Sequence, residues 1–196
     1  MTDERTKRDF AVTELKEVYK ILFADVVQAG ESLAVTPSDF ANRSFVRTYF
    51  AYVEGVVFLL REVLRATCDG TDILTASENA TLNGQRLKKL DNGDEELVPF
   101  NQGMSESLKF MLRTYPKGHG INNYEPKLGS GWQSMMAAIK IRDRLMHPKS
   151  LVSLMLTQTE VVCIDGAREW WHESVRSLLS TCEQEDKRLA KLYGTP

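Results

Sequence analysis

The stretch FVRTYFAYVEGVVFLL, running from Phe45 to Leu60, decides the fold. It is apolar nearly all round at helical spacing, inside a helix read as about residues 37–67. One narrow row stays charged: Arg43, Arg47, Glu54, Arg61 and Arg65, separated by four or seven residues. A helix so hydrophobic belongs at the centre of a bundle. Its start is marked by Thr36 as N-cap, Pro37 in the first turn and Asp39 at the positive helix end. Gly55 costs about 1 kcal/mol of helix propensity relative to alanine. Its place in the middle of this segment predicts the close approach of another helix.

Working outward, residues 5–29 carry Phe10, Val18, Ile21, Leu22 and Val26 at helical spacing, with Gly30 as the expected stop. Helix returns at about 104–115, and again at about 131–146 with Ser130 as its cap. The last helix opens at Thr157, which forms a capping box with Glu160, and runs to about Leu192. Its apolar stripe is Val161, Ile164, Trp171, Val175, Leu178 and Cys182. Residues 70–103 are the least regular. Glu78–Gln85 reads as a short helix, and the polar turn between Leu90 and Leu97 fits a small hairpin or a loose loop. A Gly-, Pro- and Asn-rich loop follows near residues 114–131. There is no internal repeat and no βαβ alternation. The pattern predicts an all-α fold: an antiparallel bundle of four main helices, with a shorter helix and an irregular insertion around 69–130, as one domain over 1–196.

Composition narrows the function. The chain is 42% hydrophobic and 27% charged, as globular proteins are, and its formal net charge of −2 provides no global basic field for nucleic acid. A polyanion would have to be met by a local patch. The N-terminus has no apolar core of a signal peptide and no stretch is long enough to span a bilayer, so a reducing cytoplasm and no membrane partner are expected. Cys68, Cys163 and Cys182 form neither a disulfide framework nor a metal-ligand spacing. With His119, His147 and His172 dispersed as well, no metal and no cofactor are expected. His119 lies in a Gly-rich stretch and reads as a solvent loop or a lid. Trp170, Trp171 and His172 read as core or interface. Tyr49 and Tyr52 could stack on bases but fit the core better.

The sequence IKIRDRLMHPKSL, Ile139 to Leu151, concentrates the polar chemistry. Lys140 shares the wet face of its helix with Gln133, Ala137 and Arg144. Arg142 lies about 200° away from Lys140, on the apolar row Met135, Ile139, Met146. An arginine there needs either a carboxylate partner or a cleft that receives an anion. Asp143 and His147 are four apart and therefore neighbours on a helix. Pro148 pushes His147 out of helical geometry. Glu54, the acid within the apolar stretch of its helix, is read first as paired with Arg47 or Arg61, and second as facing Arg142. A purely structural role remains open here, with Arg142 stapling two helices and His147 answering the helix dipole.

Arg142-Asp143-x-x-x-His147, followed by Pro148-Lys149, resembles the R-polar-x-x-x-H signature of the HEPN superfamily. The segment FVRTYFAYVEGVVFLLREV resembles the second bundle helix of those proteins, and the resemblance covers roughly residues 5–185. It implies a compact helical bundle that dimerises, so that two motifs face each other and form one site. Many members are metal-independent RNases that act as toxins or antiviral effectors; others are inactive binding modules. On this resemblance the partners are an RNA substrate, a second copy of the chain and an antitoxin or other regulatory protein. Two copies of His147 would divide the roles of base for the 2′-OH and acid for the leaving oxygen. Arg142 would stabilise the phosphorane-like transition state. Asp143 would orient His147, Arg144 and Lys149 would grip flanking phosphates, and Glu54, facing Arg142 at the substrate-binding site, would tune it.

Overall fold

A computed structural model describes residues Thr2–Gly194, with side chains from Asp9 onward. The central hydrophobic stretch forms helix α2 (Asp39–Cys68), preceded by α1 (Thr2–Val35). Phe45, Tyr49, Val53, Val56 and Leu60 of α2 are buried, which makes it the middle of the core. It is not enclosed all round, because Phe58 is 60% exposed. The α2 N-cap is Ser38, whose hydroxyl accepts a hydrogen bond from the Ala41 N–H. Thr36 is not the cap: its N–H still closes the last turn of α1 on the Ser32 carbonyl.

Helix α1 does not stop at Gly30. A glycine inside a helix costs only about 1 kcal/mol, and packing against α2 outweighs it. Gly30 sits against the Phe45 ring, and eight residues earlier Leu22 lies against Gly55. The Tyr19 and Tyr52 rings meet edge to face at 5.7 Å. From Leu22–Gly55 to Gly30–Phe45 the numbers rise on α1 and fall on α2, so the pair is antiparallel. A Cβ added to Gly55 would fall 2.4 Å from Leu22 Cδ1, which is the close approach its position predicted.

The irregular segment holds α3 (Ala76–Leu82), started by a Thr75–Glu78 capping box, and a two-stranded hairpin, β1 (Gln85–Lys89) with β2 (Glu95–Pro99). The strands are antiparallel with Leu87 opposite Leu97. Of the two readings left open for this region, the hairpin is correct. Helix α4 (Met104–Thr114) follows, then a short 3₁₀ turn at Tyr115–His119.

Helix α5 (Gly129–Met146) begins one residue before Ser130, and no side chain caps it. The capping box of α6 (Gln158–Tyr193) is formed by Thr157 and Glu160 as read from the sequence. These two helices are also antiparallel, with Gly131 against Trp170 and Ser134 against Gly166. The buried stripe of α6 is Ile164, Ala167, Trp171, Val175, Leu178 and Cys182, while Val161 lies at its edge. The Tyr49 hydroxyl donates to the Ala167 carbonyl at 3.2 Å and ties α2 to α6. The class is all-α, built on four long helices, and one hydrophobic cluster joins all of them. Among the described residues no helix is long and apolar enough to cross a membrane.

Candidate functional site at the end of helix α5

The charged row of α2 is engaged with neighbouring elements, although Arg47 and Glu54 stay exposed. It forms the seam on which the other elements are tied. Arg43 donates to the Leu154 carbonyl at 3.2 Å, and Arg47 donates to the Leu145 carbonyl, also at 3.2 Å. The second contact places a cation at the C-terminal end of α5, where helix carbonyls lack internal partners. Arg61 donates to Gln102 Oε1 at 2.9 Å and to Ser107 Oγ at 3.2 Å, so it reaches the start of α4. Burial, with Arg65 nearby, pulls the Arg61 pKa below the ordinary arginine value, and its Nε is sealed from solvent without an acceptor. Arg65 holds the Leu82 carbonyl at the end of α3 at 2.9 Å.

Glu54, in the middle of this row, pairs with Arg142 Nη2 across the α2–α5 boundary. The expected pairing with Arg47 or Arg61 does not occur, because both arginines are spent on neighbouring elements. Arg142 Nη1 also donates to Asp143 Oδ1 at 2.9 Å. The Arg142 side chain is 22% exposed, against 46% for Glu54 and 56% for Asp143, so the cluster lies in the wall of the protein. Beside it opens a cleft of about 280 Å³. Val57, Gln102, Met104 and Ser107 line it together with Glu54 and Arg142.

His147 terminates α5. Its N–H still bonds to the Asp143 carbonyl at 3.0 Å, but its backbone leaves the helix at φ −127°, ψ 60°, as the following proline requires. The side chain is exposed, and among the described residues none hydrogen-bonds the imidazole. Asp143 therefore does not orient His147 in this chain; its carboxylate is held by Arg142. Lys149 is exposed on the loop that follows.

Arg144 is not on the wet face. It pairs with Glu160 at 2.8 Å and donates to the carbonyls of Met155 at 3.0 Å and Val152 at 3.4 Å, which fastens the loop after α5 to the start of α6. Any grip on a phosphate would have to replace these bonds. Lys140 is exposed as expected. The same loop carries a feature that sequence reasoning missed. Leu151, Val152 and Met155 are 80%, 69% and 54% exposed, and Met146 beside His147 is 45% exposed. An apolar run in a connection between two helices was its visible signal.

The other histidines are structural. His119 is not a solvent loop or lid: its side chain is only 10% exposed, and Nδ1 lies 2.9 Å from Asp186 Oδ2 on α6. Cys182 is buried, and burial, with Asp186 near, pushes its thiol up to about 12, which disfavours the thiolate. His172 is half-buried and its ring stacks on Phe23 at 6.3 Å. Tyr49 and Tyr52 are core residues, and burial raises the pKa of both phenols. Among the described residues no group of three or more His, Cys, Asp or Glu could hold a metal ion. Compared with known proteins, the chain matches no family model, no curated protein and no solved structure.

Proposed function

We propose that this chain is a HEPN-type, metal-independent endoribonuclease whose site is completed by a second copy of itself. The observation that carries the reading is the placement of Arg142. A half-buried guanidinium stands at the edge of an open cleft, on the helix whose end presents an exposed, unengaged His147. Met146 next to His147, Leu151 and Val152 on the loop that follows, and Phe58 one turn after Glu54 on α2 are all large, apolar and exposed. Such a rim is what an isologous dimer contact would cover. In the dimer, one His147 would take the 2′-OH proton and the other would protonate the leaving oxygen, while Arg142 neutralises the developing charge.

A second reading has its own observation. Both terminal nitrogens of Arg142 are already engaged by carboxylates, Glu54 and Asp143. An RNA phosphate would have to displace one of them. That arrangement favours a catalytically silent bundle which binds a protein or RNA partner. The decisive experiment is RNA cleavage in EDTA by the purified chain beside His147→Ala. Cleavage that disappears in the variant, with an unchanged melting temperature, supports the enzyme. No cleavage by either protein supports the binding module.

A further inference from the structure

Arg61 decides what the cleft beside Arg142 offers to a guest. It reaches the start of α4 and donates through one nitrogen, Nη2, to Gln102 Oε1 at 2.9 Å and to Ser107 Oγ at 3.2 Å. A guanidinium has no acceptor, so it fixes which end of the Gln102 amide faces it. The oxygen turns to Arg61 and the amino group, Nε2, turns away. Among the described residues Nε2 bonds nothing, and it is not sealed from solvent as Arg61 Nε is. Ser107 keeps its hydroxyl proton to donate, because a cation already holds its oxygen.

Gln102 and Ser107 both line the cleft, with Val57, Met104 and Leu108 as apolar walls. The other polar lining residues, Glu54 and Arg142, are engaged with one another. Beside the position of a phosphate at Arg142, the uncommitted groups are therefore two donors in an apolar slot. The volume, about 280 Å³, falls just under that of drug-sized sites and suits one base without its sugar.

We propose that this cleft selects a guanine next to the phosphate at Arg142, with Gln102 Nε2 and the Ser107 hydroxyl donating to its N7 and O6. The proposal rests on the reading that the Arg142 site serves RNA. On this edge guanine alone carries two acceptors: adenine has N7 beside an amino group, cytosine an amino group, and uracil one carbonyl. The adenine amino group would also face the Arg61 guanidinium, which repels it and attracts O6. Unpaired RNA leaves this edge free to be read. Gln102 and Ser107 are thus the residues that determine base specificity.

The test is binding of labelled short uridine oligomers, each with one central nucleoside exchanged, to the full chain carrying His147→Ala, which keeps the RNA whole. Guanosine should bind about tenfold tighter than adenosine, cytidine or uridine, the discrimination of one good two-bond contact. Inosine keeps N7 and O6 and lacks only the amino group, so it should match guanosine. Deazaguanosine with carbon in place of N7 should lose about fivefold, the effect of one neutral hydrogen bond. Gln102→Glu still accepts from Arg61 but turns an acceptor to the cleft, so its ratio of guanosine to uridine affinity should fall to about one. Ser107→Ala should lower the same ratio in part. If no oligomer binds, the RNA reading falls and this proposal falls with it. If the oligomers bind equally, or another base is preferred, this proposal alone is overturned. It is also overturned if inosine binds no better than uridine, if the deaza analogue binds as well as guanosine, or if Gln102→Glu leaves the ratio unchanged.

Discussion

Replacing Glu54 with glutamine separates the two roles open to Arg142. The amide keeps the shape and one acceptor for Nη2 but removes the negative charge. Two unit charges about 4 Å apart attract by about 4 kcal/mol at an effective dielectric near 20. Glu54 is 46% exposed, so solvent screens most of that. About 1 kcal/mol should remain, the upper end for exposed pairs. Losing it should lower the melting temperature by about 2–4 °C for a chain of this size. The same carboxylate opposes any phosphate that approaches Arg142. If the guanidinium serves RNA, Glu54→Gln should therefore tighten binding of a labelled single-stranded RNA by about fivefold, the equivalent of about 1 kcal/mol. Fluorescence polarisation at fixed ionic strength reads the affinity, and calorimetry of the same sample reads the stability. Arg142→Ala is the control, expected to lose both. A variant whose melting temperature falls while RNA affinity stays level or weakens would refute the reasoning. Arg142 would then be a staple between α2 and α5 and nothing more.

Other outcomes follow from the same contacts. Light scattering should show a dimer at micromolar concentration, and Leu151→Asp with Val152→Asp should make it monomeric with little change in helicity; a strict monomer in the parent chain removes the shared site. Gly131→Ala would place a Cβ 2.6 Å from Trp170 Cβ, an atom fixed to the backbone, whereas Gly55→Ala meets the mobile end of Leu22. Overpacking costs about 1–3 kcal/mol, so thermal melts should show the larger loss for Gly131→Ala. Burial raises the Glu78 pKa, but hydrogen bonds from Lys117 and from the N–H and hydroxyl of Thr75 outweigh it and hold it below the ordinary value. The stability this confers is present above the ordinary carboxylate range and is lost as pH falls through the lowered folded value. Glu78→Gln should cost about 1–2 kcal/mol at neutral pH and flatten that part of the acid unfolding curve; an unchanged curve contradicts the assignment.

The helices and their class were legible because their signals are local. The hydrophobic period of α2 is carried by adjacent turns, and the Thr157–Glu160 capping box lies within four residues. Even the approach of α1 could be anticipated from Gly55, since a glycine there has no other local reason. The errors also share a cause. Gly30 reads as a stop only if its packing against Phe45 is unknown, and Ser38 and Thr36 are equally good caps until the chain path chooses one. The site shows the limit most clearly. Spacing alone put Arg142 on the apolar side of α5 and His147 at a broken helix end. Spacing also offered Arg47 and Arg61 to Glu54 and offered Asp143 to His147, and none of those pairings forms. Ion pairs depend on distances of a few ångströms between elements far apart in the chain. Glu54 and Arg142 are 88 residues apart, and only the docking of α5 onto α2 brings them together. Burial works the same way: whether Trp171 has an acceptor, or Leu151 a cover, depends on what the completed bundle places beside it.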